Sequence, residues 1–379
     1  FSSRRRHTRF RNVTGVQTCA LPILVENTPE ELVLGQKMLL MPDLVLFELT
    51  GNIGTEYTIA STTGLYDVFN EDWDRSLAKD LGIPTHILGK VEPAGTQRGY
   101  LKDEVIAENQ INKLMCIASA SHDTASAVVA TPFEDEGSAF ISSGTWSLLG
   151  IEMRKFIAND LTLSHRLTNE GGYEGTNRLL RNVMGLWLIQ EVRRDFESKG
   201  EILSYAQLVE MAQAESDPWR TLIYVDAPIF VHAGEMINRI QKFAHETGQP
   251  IPKTPGEIAQ TVFASLALQY ALTCDVLEKL SGLPMKTINI VGGGSQNHHL
   301  SQLTSNVTRK KVVAGPVEAT AMGNAIVQAI ALGEISNMEA GRELIRNSVK
   351  DLKHFTSLPV DDLDSIRERY EKLTKVEMR

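Results

Sequence analysis

The sequence predicts an α/β chain of two domains. Three observations carry that reading: a length of 379 residues, an ordinary balance of apolar and charged residues, and strands that empty through glycine-rich turns into helices. A chain this long exceeds what one hydrophobic core serves. Hydrophobic residues make up 42% and charged ones 22%. No apolar run nears the roughly 20 residues that a bilayer helix needs, so no membrane span is expected. The formal charge of -9 disfavours a general nucleic-acid binder, which needs clustered Lys and Arg to neutralise phosphates. Cys19, Cys116 and Cys274 form no CxxC pair and no His/Cys cluster. Neither a disulfide framework nor a zinc site is expected, and a reducing cytoplasm fits.

Residues 1–23 differ in character from the rest. They hold five arginines and no acidic residue, which leaves -14 on the remainder against -9 for the whole. A transit peptide is Arg-rich in this way, but no amphipathic period runs through the segment and it starts with Phe1. A secretory signal is disfavoured because Pro22 breaks a short apolar stretch that no small-residue cleavage site follows. The text resembles translated sequencing adapter. A non-native leader is therefore expected, ahead of a chain whose own N-terminal sequence is missing.

Residues 41–67 read as helix, turn and polar loop, punctuated by Gly51, Gly54 and Gly64. In 72–81, Asp72 is the expected N-cap of a helix that buries Trp73, Leu77 and Leu81 on one face. Residues 83–93 read as loop. The run KLMCIASA (113–120) reads as a buried strand emptying into SHDTASAV (121–128) at a helix start. SAFIS, a tight tip at Ser143, Gly144 and Thr145, and WSLLGIE form an expected hairpin. Thr254, Pro255 and Glu257 make a capping box with Pro at the first helical position, launching a helix through Ile258, Val262, Leu266 and Tyr270 to near Gly282. A strand (287–291), three glycines (292–294), a helix, a strand (311–314) and a helix of small residues before Gly333 follow. The charged tail from Leu363 reads as a surface helix. Nucleotide binding is the first hypothesis for such an order.

A single glycine turn is weak evidence, whereas five runs in order say more: SHDTASAV, SSGTWSLLG, NEGGYEGTNRLLRNVMGLWLIQE, IVGGGSQN and AGPVEATAMGN. Together they resemble the FGGY carbohydrate kinases, and within them the branch that phosphorylates L-rhamnulose. The marks particular to that branch are GTWS after SHDTASAV, and NVMGLWLIQ. With MPD, TEYTIASTT and DWDRSL upstream, the resemblance covers 24–379. It implies an actin-like, ribonuclease-H-like two-domain sugar kinase fold. Residues 24–130 would be the remainder of an incomplete N-terminal sugar-binding domain, and 131–379 the C-terminal nucleotide-binding domain. It also implies ATP and Mg²⁺, L-rhamnulose as the small-molecule partner, a cytoplasmic location, and no nucleic acid or membrane partner. A cleft closing over sugar and ATP would keep water from the γ-phosphoryl group.

Carried over residue by residue, Asp123 matches the family's general base, which takes the proton of the sugar 1-hydroxyl as that oxygen attacks the γ-phosphorus. Asp123 also reads as a helix N-cap, and the two roles are compatible. His122, Asp123, Thr124 and Asn182 match substrate-contacting positions, although a lone histidine is more often a satisfied structural residue. Thr145 matches the second phosphate-binding loop, where backbone N–H groups approach the β- and γ-phosphates; a plain hairpin turn would need only Gly144. Gln190 and Gly293 match nucleotide-contacting positions. A spacing of eight puts Asn182 and Gln190 about two turns apart near one helix face, while Met184, Leu186, Trp187, Leu188 and Ile189 around them read more simply as core. Gly323 and Asn324 need no more than tight helix packing. No metal ligand set is visible, since Glu48, Glu56, Asp67 and Asp72 are too scattered to nominate.

The family's first phosphate loop, Asp-x-Gly-(Ser/Thr/Ala) after an N-terminal strand, has no counterpart in this reading. The chain is accordingly expected to be inactive or nearly so, because the reaction depends on phosphate-orienting donors. A kinase for another ketose, such as fuculose or xylulose, remains open as an alternative. So does a non-catalytic sugar or nucleotide sensor.

Overall fold

The computed structural model describes residues 20–376. The expected leader and Cys19 lie outside the described residues, except that 20–23 open the helix Ala20–Asn27. The chain forms two compact units, neither of them one continuous stretch. The first comprises Phe1–Pro132, Glu152–Leu180 and Ala319–Ser348; the second comprises Phe133–Ile151, Arg181–Glu318 and Val349–Arg379.

In the second unit, the strand Thr287–Val291 is buried throughout and pairs parallel with Lys311–Ala314 on one side and Ala139–Ser143 on the other. A parallel strand covered on both faces is expected to be apolar throughout; here Ile288, Ile290 and Val291 are, while the buried Asn289 donates through Nδ2 to Ala139 O at 3.3 Å. The helix His298–Thr308 connects the first two strands, capped by Asn297, whose side chain accepts from the Leu300 N–H at 3.0 Å. Ala139–Ser143 and Ser147–Met153 form the expected antiparallel hairpin, and Lys353–Phe355 adds an antiparallel edge. The capping box forms as expected: Thr254 Oγ1 accepts from the Glu257 N–H at 3.1 Å, and Glu257 Oε2 accepts from the Thr254 N–H at 3.1 Å. The helix it opens runs Pro255–Ser281 and ends at Gly282 with φ +69°. Its Tyr270 hydroxyl meets Ser147 Oγ at 2.7 Å, tying the helix to the hairpin. The tail helix Leu363–Leu373 lies at the surface as expected, with one buried face. It buries Leu363, Tyr370 and Leu373, and the Tyr370 hydroxyl donates to Gln269 Oε1 at 3.1 Å.

In the first unit, the helix Met41–Thr50 ends at Gly51 with φ +78°. Beyond it the polar tract is no loop. Thr55–Glu56 pairs parallel with Val91–Glu92, the helix Tyr57–Ala60 follows, and Thr58, Ser61, Thr62 and Thr63 are buried. The reason lies in the hydroxyls: Ser61, Thr62 and Thr63 each donate to the carbonyl three residues back at 2.7–2.8 Å, so the tract carries its own partners inward. Asp72 is not the helix cap. It lies on a short strand, Asp72–Trp73, where Trp73 Nε1 donates to Gly89 O at 2.7 Å, and Asp74 caps the helix Arg75–Asp80. The expected buried face survives this shift: Trp73 is in the core, with Leu77 and Leu81 partly buried against it. The strand Met115–Ala118 pairs antiparallel with Thr96–Tyr100 and buries only Ile117 and Ala118.

The helices Asp123–Val129 and Ala319–Ala331 pack against each other through glycine. A Cβ added at Gly323 would stand 1.8 Å from the Ser126 carbonyl oxygen. Among the described residues, no helix is long and apolar enough to cross a membrane. Gly323→Ala is expected to destabilise the first unit by about 1–3 kcal/mol, the usual cost of overpacking. Urea denaturation followed by circular dichroism checks this, and an unchanged midpoint would contradict the packing described.

Candidate active site

Asp123 is the first residue of the helix Asp123–Val129, and the N-cap position belongs to His122, whose side chain makes no capping bond. The N-cap reading of Asp123 is thus corrected by one residue. The Asp123 carboxylate accepts from the Thr124 N–H at 2.6 Å and the Thr124 hydroxyl at 3.3 Å, yet its side chain remains 79% exposed. A carboxylate in that setting is fixed at one oxygen and open to a solvent-borne partner.

The backbone that carries Asp123 is pinned from behind by two side chains. Glu56 Oε2 accepts from the Ser121 N–H at 3.1 Å, and Thr58 Oγ1 accepts from the His122 N–H at 3.1 Å. The Thr58 hydroxyl in turn donates to Glu56 Oε2 at 2.6 Å. Glu56 is fully buried and accepts also from the N–H groups of Thr58 and Ile59. Burial pushes its carboxyl up to about 7, with the donors opposing the rise. Asp43, likewise buried, accepts from the Glu56 N–H at 3.1 Å and from Arg98 Nη2 at 3.1 Å. Burial lifts it to about 6 against the pull of Arg98.

A second buried group stands behind His122. Nδ1 of His122 lies 3.0 Å from Arg178 Nη2 and 3.5 Å from Glu170 Oε2, while Nε2 lies 3.5 Å from Asp123 Oδ1. Arg178 is wholly buried, donates through Nε to Gly171 O at 3.0 Å, and pairs with Glu170 at 3.3 Å. Burial first, and then the Arg178 charge, depress His122 to about 3, so the ring is neutral near neutral pH. Burial also raises Glu170, with Arg178 opposing.

In the second unit, the hairpin tip brings two of the expected nucleotide residues together. The Thr145 hydroxyl donates to Gln190 Oε1 at 3.4 Å. Backbone bonds from Leu186 N–H to Gly144 O (3.2 Å) and from Trp187 N–H to Thr145 O (3.0 Å) hold the tip in place. Asn182 and Gln190 do not share a helix: Asn182 is on the strand Asn177–Val183 and Gln190 on the helix Trp187–Ser198. Two contacts force the break. The Met184 N–H donates to Asp226 Oδ1 at 2.8 Å instead of to a helical carbonyl, and a Cβ at Gly185 would fall 2.5 Å from Ser147 Oγ.

The three glycines separate by role. A Cβ at Gly292 would stand 3.0 Å from Ser143 O, where φ is also +84°, and one at Gly294 would stand 2.0 Å from Ser143 Oγ, so the hairpin requires both. A Cβ at Gly293 would meet nothing within 4 Å. The space over Gly293 is therefore free for something other than this unit's own atoms. Thr145, Gln190 and the 292–294 turn gather at the hairpin in the second unit, while His122, Asp123 and Thr124 gather in the first. Among the described residues, no group of three or more His, Cys, Asp or Glu side chains is placed to hold a metal, and Cys116 and Cys274 are free thiols.

Sequence reasoning passed over Glu170 and Arg178, and set Glu56 aside only as a metal ligand. A usable signal existed in 177–183, where two arginines interrupt a strand of Leu and Val. A charge in a buried strand must have a buried partner.

The comparisons with known proteins fit this geometry. The chain belongs to the FGGY family of carbohydrate kinases: residues 3–130 match the model of the family's N-terminal domain and 139–332 that of its C-terminal domain. It is thus a carbohydrate kinase. The rhamnulokinase of Ligilactobacillus salivarius is 39% identical over 333 residues, which are 88% of this chain and 68% of that one. The rhamnulokinase of Bacteroides thetaiotaomicron is 38% identical over 355 residues, covering 92% of this chain and 72% of that one. Among solved structures, Plasmodium falciparum glycerol kinase with ADP superposes with a TM-score of 0.74 at 18% identity, covering 95% of this chain and 72% of that one. The xylulose kinase of Rhodospirillum rubrum gives 0.70 at 17%, covering 94% and 70%. The fold is that of the actin-like, two-domain sugar kinases.

Glu56 and Asp43 hold their protons more tightly folded than unfolded, with pKa values moved from 4.5 to about 7 and from 3.8 to about 6. Their protonated forms therefore contribute stability that is full below the unfolded values and lost as pH rises through the folded ones. His122, lowered from 6.5 to about 3, contributes in the opposite sense below pH 6.5, so the expected readout is the difference between two proteins that share it: from about pH 4.5 to about pH 7 the wild-type urea midpoint falls relative to that of Glu56→Gln. A midpoint that changes through that window by the same amount in both proteins would contradict the assignment.

Proposed function

We propose that the site in this chain is built for transfer of the γ-phosphoryl group of ATP to O1 of L-rhamnulose, the parent enzyme's reaction, which yields L-rhamnulose 1-phosphate and ADP, with Asp123 as the general base. The observation that carries the reading is the exposed carboxylate of Asp123, standing on a backbone pinned by buried groups beside a neutral histidine. Asp123 accepts the proton of the 1-hydroxyl while that oxygen bonds to the γ-phosphorus and the bond from phosphorus to the bridging oxygen breaks toward ADP. His122, Thr124 and Asn182 are assigned to the sugar, within a sugar-binding region over 24–130 and its neighbours. Thr145, Gln190 and Gly293 are assigned to ATP, within a nucleotide-binding region over 131–379. The free space over Gly293 and the donor-bearing tip at Thr145 fit that group. Mg²⁺ would arrive held mainly by phosphate oxygens and water and would neutralise the phosphate charge. The reading supposes a cytoplasmic setting, where sugar and ATP occur together.

Turnover by these 379 residues is proposed to be near background. The string Asp135, Glu136, Gly137, Ser138 has the letters of the first phosphate loop, but it precedes the strand Ala139–Ser143 rather than following one.

The reading is tested by calorimetry and by product analysis. The chain is expected to bind L-rhamnulose more tightly than L-fuculose or D-xylulose, and preference for another ketose would reassign the substrate. Gly293→Ala should fold normally yet weaken ADP binding by about tenfold or more, as should Thr145→Ala to a lesser degree. Wild-type ADP affinity in both would remove the nucleotide assignment. Whatever rhamnulose-dependent ADP formation the wild type shows should fall to the protein-free rate in Asp123→Asn, with sugar affinity kept within a few fold. Unchanged turnover in that variant would leave a kinase-fold protein without this base, and brisk wild-type turnover would overturn the proposed near-background rate.

A further inference from the structure

The groups facing the His122 ring are Arg178, Glu170 and Asp123, and their chemistry is unequal. A guanidinium only donates, so the atom that receives its hydrogen bond must hold a lone pair. Arg178 Nη2 sits 3.0 Å from His122 Nδ1. A proton on Nδ1 would set two donors face to face at that distance. Glu170 Oε2 competes for such a proton, but it lies farther off, at 3.5 Å, and already pairs with Arg178 at 3.3 Å. Neither partner is free to turn away. The Arg178 Nε bond to Gly171 O fixes the guanidinium, and the His122 backbone is held by Thr58 Oγ1.

We propose that Arg178, backed by Glu170, is a positioning residue that fixes His122 as its Nε2–H tautomer, so that the ring presents a hydrogen-bond donor beside the Asp123 carboxylate. The other nitrogen of a neutral imidazole carries the proton once the first is taken as an acceptor. Nε2 and Asp123 Oδ1 stand 3.5 Å apart, too far for a good bond to each other. A donor and an acceptor left side by side and unjoined suit a hydroxyl group, which donates its proton to Asp123 and accepts from Nε2–H. The inference rests on the proposed sugar site for its purpose, but the tautomer itself does not depend on any ligand. The depressed His122 basicity, caused by burial and by Arg178, keeps the ring neutral and supports the same picture.

The test uses the full chain labelled with ¹⁵N-histidine and two-bond ¹H–¹⁵N correlation spectra, with His122 identified by its absence in His122→Gln. The expected wild-type pattern is an unprotonated Nδ1 and a protonated Nε2, unchanged from about pH 5 to about pH 8. An Nδ1–H pattern, or averaged shifts for both nitrogens, overturns the proposal without any variant. Arg178→Met combined with Glu170→Met removes both buried charges together and should bring the two nitrogens toward averaged shifts. If that variant folds and keeps the wild-type pattern, Arg178 is not the cause and the proposal fails. Titration of wild type with L-rhamnulose, read separately, judges the sugar site: no binding alongside the expected tautomer would overturn the substrate reading and leave the Arg178 assignment standing.

Discussion

The carboxyl group of Glu56 is withdrawn from water and surrounded by donors, and one of those donors belongs to a chain segment 65 residues away. Burying a carboxyl group is costly unless hydrogen bonds replace its hydration. Here the N–H groups of Thr58, Ile59 and Ser121 and the Thr58 hydroxyl supply them. The same bonds close the turn that delivers His122 and Asp123. Removing the acceptor would leave several donors buried without a partner, so the geometry of the turn and the stability of the first unit are coupled through one side chain.

The two units solve the problem of holding a reactive group by different means. In the first, buried charges do it: Glu56 under the Ser121–His122 backbone, and Arg178 with Glu170 behind the imidazole. In the second, close backbone approach does it, with Gly185, Gly292 and Gly294 admitting the hairpin at distances no side chain would permit. Charges specify direction and glycines specify distance. Under the proposed assignments, a general base and its neighbours would need the former and a polyphosphate surface the latter, because backbone N–H groups must come near.

Much of this was legible in the sequence, for local reasons. The capping box at Thr254 and Glu257, the hairpin tip at Gly144, and the strand that ends in Gly292 each satisfy their rule within a few residues. Asp74 replaced Asp72 as a cap because Trp73 finds the Gly89 carbonyl across the chain, which no local pattern announces. Asn182 left the helix because Asp226 takes the Met184 N–H from 42 residues away. The thread of Thr and Ser after Glu56 looked like a loop since its hydroxyl bonds, although local, are visible only once the tract is inside. Arg178 was half legible, since a charge in an apolar strand calls for a buried partner, but its contact with His122, 56 residues away, could not be read from any spacing.

Asp123 and His122 must act together on one hydroxyl if the proposed site is right. A crystal structure of the chain soaked with L-rhamnulose addresses this most directly. A sugar oxygen is expected within hydrogen-bond distance of both the Asp123 carboxylate and His122 Nε2, with the Ser121–His122 backbone unmoved on Glu56 and Thr58. A sugar bound elsewhere, or bound in this unit with Asp123 still facing only water, would contradict it.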